Sequence, residues 1–163
     1  MNKRSIYLVA VVLVVAASFI IIRKLKNHYA PRINLSGISL KDLDGKVVDL
    51  AAFSGKPLVI NFWGTWCPPC REELPAFQKA RDKYGDEVNI LMASDEPVDK
   101  ISKFKKENNY TFIYTQLQNT FHDLGITSVP VTYFYNARGN LVIKKKDPLT
   151  EEELDGFISE IIK

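Results

Sequence analysis

Cys67 and Cys70 are the only cysteines in this chain of 163 residues, and two prolines separate them in the run NFWGTWCPPC, residues 61–70. A pair at this spacing suits dithiol–disulfide exchange, and no second pair exists to make a structural bridge elsewhere. The pair falls where a buried strand gives way to a helix. A cysteine at a helix start is met by unpaired N–H groups and the positive end of the dipole. Both stabilise a thiolate, the attacking species, so Cys67 is the expected nucleophile. Cys70, one turn later, is expected to face inward and to close onto a mixed disulfide through Cys67. Pro68 and Pro69 suit the opening of a helix, where a missing N–H costs nothing. Zinc is the other use of such a pair, but it takes four ligands, and only the isolated His28 and His122 remain. No metal and no cofactor beyond the Cys67–Cys70 couple is therefore expected.

The elements around this segment predict an α/β domain. Ser39–Leu43 and Lys46–Leu50 are short alternating stretches on either side of Asp44-Gly45, a hairpin signal. Pro57–Trp63 is a continuous run, apolar but for Asn61, as expected of a central strand covered on both faces. A helix is predicted from about Cys67 to Tyr84, a strand over Val88–Ser94, and a helix near Val98–Asn108 with Ile101 and Phe104 inward. Thr111–Thr115 reads as a strand and Leu117–Leu124 as a short helix stopped by Gly125. Val131–Tyr135 and Asn140–Lys145 read as strands joined by a turn at Asn136–Gly139. The last helix opens at Thr150 with Glu153 three residues on, a capping box. It repeats Leu154, Phe157, Ile158, Ile161 and Ile162 at helical spacing. Strands alternating with helices predict a parallel core, and the final hairpin predicts an antiparallel edge.

Charge is unevenly spread. Residues 1–32 hold six bases and no acid, which leaves sixteen bases against nineteen acids in the remainder. That acidic balance excludes the basic footprint of a nucleic-acid binder. The bases of the first part flank Ser5–Ile22, eighteen residues without a charge. As a helix the segment reaches about 27 Å, enough to cross a bilayer core. Ala16, Ala17 and Ser18 offer small residues for signal cleavage, but the apolar run continues through Phe19–Ile22, which favours an uncleaved anchor. The expected organisation is a tail over 1–4, a transmembrane anchor over 5–22, a basic juxtamembrane linker over 23–32 and one domain over 33–163. Lys3 and Arg4 at one end against Arg23, Lys24 and Lys26 at the other slightly favour a cytoplasmic C-terminal side.

The run from Phe62 to Cys70 resembles the active-site segment of the thioredoxin superfamily. Pro75 falls where that family kinks its active-site helix, and Val129-Pro130 resembles the family's cis-proline beside the cysteines. The plain alternative for Pro130 is a strand-start proline. The resemblance covers roughly 33–163 and implies a thioredoxin-like fold: a mixed central sheet flanked by helices, here with an added N-terminal hairpin and one transmembrane helix. That hairpin, the Gly55-Lys56-Pro57 lead into the strand and the single anchor resemble the membrane-tethered TlpA and ResA-like reductases. This branch implies action outside the cytoplasm, against the orientation hinted at by the flanking charges.

Common thioredoxins carry a buried aspartate six residues before the first cysteine; here that position is Asn61, which cannot accept a proton. Glu73 matches the glutamate found three residues past the second cysteine in ResA-like proteins. A helical projection puts it among Leu74, Phe77, Ala80 and Tyr84, with Glu72 outward and Arg81 also on the arc. The plain alternative is a first-turn acid favoured by the dipole. Trp66 is expected to shelter the cysteines and Trp63 to sit in the core. Trp66, Pro68, Val129 and Pro130 are the expected substrate-contacting residues. A peroxidase signature would need Pro at position 60 and Thr or Ser at 64, where Ile60 and Gly64 stand. The resemblance implies a reductase of protein or peptide disulfides, with apocytochrome c as a substrate and a membrane thiol-transfer protein as electron donor. It places the protein in a bacterial cell membrane as a single-pass chain, its soluble domain facing the periplasm or cell exterior. A dithiol oxidase of the same fold and a tethered peptide-binding or chaperone module are the rival readings.

Overall fold

The computed structural model describes residue 18 and residues 35–163. The predicted tail, the linker and, Ser18 apart, the predicted anchor lie outside the described residues. Among the described residues no helix is long and apolar enough to cross a membrane.

A seven-stranded sheet runs through the domain. Its strands are β1 (Leu40–Asp42), β2 (Val47–Val48), β3 (Leu58–Phe62), β4 (Asn89–Ser94), β5 (Ile113–Leu117), β6 (Val131–Tyr135) and β7 (Leu141–Lys146), in the order β2-β1-β5-β4-β3-β6-β7. Three helices join them: α1 (Pro68–Tyr84), α2 (Val98–Glu107) and α3 (Glu151–Ile162). β3, β4 and β5 are parallel, and β6 and β7 add the antiparallel edge expected of the final hairpin. The N-terminal hairpin closes the opposite edge through β1, antiparallel to β5. Its turn is set by Asp42, whose Oδ1 accepts from the N–H groups of Asp44 and Lys46, and by Gly45 at φ 85°. That backbone conformation is strained for any residue with a Cβ. The fold is therefore the thioredoxin-like α/β arrangement with a mixed sheet.

Alternation along the strands sorts the core into two layers. Val59, Trp63, Ile90, Met92 and Phe134 face one way and pack with Leu74 and Phe77 of α1, Ile101 and Phe104 of α2, and Leu154 and Ile158 of α3. Leu58, Ile60, Phe62, Leu91, Tyr133 and Tyr135 face the other way, against Leu40, Leu50, Leu124 and Ile126. All three helices thus share one face of the sheet. Every residue of β3 is buried, the polar Asn61 included, as expected of a central strand covered on both faces.

One predicted element is absent. The expected helix over Leu117–Leu124 is a single 3₁₀ turn, His122–Leu124, ended by Gly125 at φ 64°. Strand pairing wins at its start: Leu117 ends β5 opposite Leu40, and Gln118 N–H donates to the carbonyl of Ser39. After it, Thr120 and Asp123 bond to each other's N–H groups, the reciprocal pattern that starts a helical turn, so helical backbone begins only past Thr120. The strand predicted over Thr111–Thr115 correspondingly lies two residues later.

α3 opens as its sequence predicts. Thr150 Oγ1 accepts from Glu153 N–H at 3.2 Å, and Glu153 Oε2 accepts from Thr150 N–H at 3.1 Å. Leu154, Ile158 and Ile161 are buried, whereas Ile162, expected on the same face, is 39% exposed at the helix end. Leu149, the residue before the cap, is buried. Thr150→Ala should lower unfolding stability by about 0.5–2 kcal/mol. Urea denaturation of the oxidised protein checks this, and an unchanged midpoint would contradict it.

Candidate active site at the Cys67–Cys70 disulfide

Cys67 caps α1. Its backbone is extended at φ −93°, and its sulfur accepts from the N–H of Cys70 at 3.2 Å. A disulfide joins the two cysteines, with Cα atoms 5.3 Å apart. Cys70 is fully buried and Cys67 is only 2% exposed. The distant proline meets them here: Val129-Pro130 is a cis peptide, and the Val129 carbonyl oxygen lies 3.7 Å from Cys67 Sγ. Pro68 is exposed on the first turn of α1, and Pro75 lies inside that helix without ending it.

The loop between β3 and α1 is held from beneath. Trp63 N–H donates to the carbonyl of Ala93, and its ring is buried against Phe104 and Tyr114, the core placement expected of it. Thr65 gives both its N–H (2.6 Å) and its hydroxyl (2.8 Å) to the carboxylate of Glu96, which also accepts from Ser94. Glu96 is buried and fastens the loop two residues before Cys67. Its position after a strand, in a short polar stretch, gave no sign of this role in the sequence. Trp66 is 63% exposed, and its indole lies against Gly64, where a Cβ would come within 2.7 Å of Nε1. Glycine is needed there to admit the ring.

Beneath Cys70, α1 buries a carboxylate against the sheet. Asn61 on β3 stands opposite Thr132 on β6, both on the helix-facing side. Asn61 Nδ2 donates to Glu73 Oε1 at 2.8 Å and to Thr132 Oγ1 at 3.0 Å. Leu149 N–H, just before α3, donates to Glu73 Oε2 at 2.9 Å. Glu73 is 3% exposed, while Glu72 is outward, as the helical projection predicts. Burial pushes the Glu73 carboxyl up to about 7, against the pull of the Leu149 N–H and the Asn61 amide, which favour the anion. Asn61 is thus more than a missing base, because it is a hydrogen-bond donor to the carboxylate. Among the described residues its own Oδ1, which is buried, has no hydrogen-bond partner. His122 is exposed on the 3₁₀ turn, and among the described residues no cluster of His, Cys, Asp or Glu is placed to hold a metal ion.

A disulfide capping a helix, a cis-proline carbonyl beside it and a buried acid one turn further on make an exchange centre in a thioredoxin-like frame. The AhpC/TSA family model matches residues 28–146. The chain belongs to that family. Among its relatives, the thiol-disulfide oxidoreductase ResA of Halalkalibacterium halodurans is 31% identical over 128 residues, covering 76% of this chain and 72% of that one. The thioredoxin-like protein YneN of Bacillus subtilis is 30% identical over 122 residues, 72% of each chain. Of solved structures, MTB dsbF aligns with a TM-score of 0.64 at 26% identity, covering 76% of this chain and 93% of that one. StoA from Bacillus subtilis aligns with a TM-score of 0.60 at 25% identity, covering 73% and 93%. The protein is a thiol–disulfide oxidoreductase of the ResA-like branch.

The raised Glu73 carboxyl carries a pH signature with a definite sign. Between its ordinary value of 4.5 and about 7, the folded protein keeps a proton that the unfolded chain has released. Stability is therefore lost as pH rises through that window. Glu73→Gln removes this loss. From pH 5 to pH 8 the variant should gain roughly 1–3 kcal/mol relative to the wild type in denaturant unfolding of the oxidised form. Parallel stability profiles for the two proteins would contradict the assignment.

Proposed function

We propose that the protein is a membrane-tethered reductase of protein disulfides, working outside the cytoplasm, with apocytochrome c as its substrate class. The observation that carries the reductase chemistry is Glu73: a buried carboxyl poised near neutrality, one helical turn past Cys70. A carboxyl so placed is matched to a thiol that must ionise while shielded from water.

In the reduced state the Cys67 thiolate attacks one sulfur of the substrate disulfide. A Cys67–substrate bond forms, the substrate S–S bond breaks, and the displaced sulfur leaves as a thiolate that takes up a proton. Cys70 then gives its proton to the Glu73 carboxylate and attacks Cys67 Sγ. The Cys67–Cys70 bond forms, the Cys67–substrate bond breaks, and the second substrate sulfur leaves as a thiolate that takes up the proton held by Glu73. The substrate gains two electrons and two protons, and the chain is left with the Cys67–Cys70 disulfide. Backbone groups at Val129-Pro130 hold the substrate strand extended across the sulfurs, with Trp66 and Pro68 on its flank. A membrane thiol-transfer protein restores the dithiol. The tether is supported by the uncharged run Ser5–Ile22. The location and the cytochrome role are supported by the likeness to the TlpA and ResA-like branch.

The full chain, purified in neutral detergent, tests the direction of electron flow. Its reduction potential should lie near that of thioredoxin, about −270 mV, and a value near about −120 mV would make it a dithiol oxidase instead. Peptide binding without insulin reduction would make it a binding module. In intact spheroplasts a membrane-impermeant thiol reagent should label the reduced chain at Cys67; labelling only after lysis would overturn the location.

A further inference from the structure

A hollow of about 280 Å³ between α1 and α2 is left unused by the exchange chemistry. Arg71, the residue after Cys70, enters it from α1, and Lys100 and Lys103 enter it from α2. Thr65 of the active-site loop, two residues before Cys67, also lines it. Three cations face one carboxylate, Glu107, which Lys103 approaches only at 3.9 Å. Arg71 and Lys100 make none of the ion pairs found among the described residues. The other acids nearby do not neutralise the site. Glu72 lines a separate hollow with Pro75 and Pro148, Glu96 is occupied by Thr65 and Ser94, and Asp99 is exposed outside the hollow's lining.

The surroundings make this patch selective. Residues 33–163 carry sixteen bases and nineteen acids, a net negative domain, so an acidic polypeptide is repelled by the domain as a whole. It is attracted where Arg71, the residue after Cys70, gathers with Lys100 and Lys103. We propose that Arg71, Lys100 and Lys103 dock acidic side chains flanking the substrate's disulfide, so that the enzyme favours substrates with Glu or Asp close to their cysteines. This rests on the reductase reading and adds a substrate class to it. The contacts are exposed and therefore salt-sensitive, individually weak and jointly sufficient to steer encounter.

The test uses the reduced full chain in neutral detergent and two peptides, each closed by one disulfide. One carries glutamates on both sides of its cysteines, and the other carries glutamines at the same positions. At low salt the glutamate peptide should be reduced about 5–50-fold faster in kcat/KM. The advantage should collapse at about 0.5 M salt, where screening shortens the reach of charge to a few ångström. The double variant Arg71→Glu, Lys100→Glu should abolish or invert the preference, with the glutamine peptide reduced within about two-fold of the wild-type rate. Equal rates for the two peptides in the wild type, or a preference that survives the double variant, would overturn the proposal. Turnover of neither peptide would overturn the reductase reading and the proposal with it.

Discussion

Burying one carboxylate between a helix and a sheet is the constraint on which the rest of this site depends. An ionised side chain inside a helix–sheet layer is costly unless it is met by donors. Glu73 is met by two, and they come from distant parts of the chain: the Asn61 amide on β3 and the Leu149 N–H before α3. Asn61 is held in turn by Thr132, its partner in the β3–β6 register. The strand register, the α1 face and the capped start of α3 therefore converge on one group. Slipping β6 by one residue would turn Thr132 to the opposite face and leave Asn61 with one partner fewer.

The two donors stabilise the anion, yet burial outweighs them and raises the carboxyl to about 7. That balance suits the group to the proposed proton transfer from Cys70. A surface glutamate would be ionised throughout the physiological range and too weak a base for a thiol, whereas a carboxyl near neutrality is close to the optimum for proton transfer. Glu96, the second buried acid, is built differently. It takes both donors of Thr65 and the Ser94 hydroxyl, all of them bonds that tie the active-site loop to β4. One carboxylate holds the active-site loop, and the other is the proposed acceptor of the Cys70 proton.

Much of this was legible in the sequence. The apolar run of β3, the Asp44-Gly45 hairpin and the Thr150–Glu153 cap are local signals, and local hydrogen bonding or patterning suffices to produce them. The placement of Glu73 followed from helical periodicity, and that of Val129-Pro130 from a resemblance that links it to Cys70, sixty positions away. What failed depended on tertiary contacts. Leu117 has helix-compatible neighbours, but β5 extends through it because β1 offers it a partner. The role of Glu96 arises because the β3–α1 loop passes over the end of β4, a proximity no spacing announces. Trp66 turns back onto Gly64 and leaves much of its ring in solvent, a matter of loop geometry rather than residue type.

The most direct measurement follows the release of a dithiol peptide from its mixed disulfide with Cys67, under single-turnover conditions, for the wild type and Glu73→Gln between pH 5 and 9. Wild-type release should rise as pH passes through about 7, where the Glu73 carboxyl loses its proton. The glutamine variant, which keeps the shape without the base, should release about 10–1000-fold more slowly. It should also lack that inflection and accumulate the mixed disulfide. Equal release rates and the same pH profile in both proteins would contradict Glu73 as the group that takes the Cys70 proton.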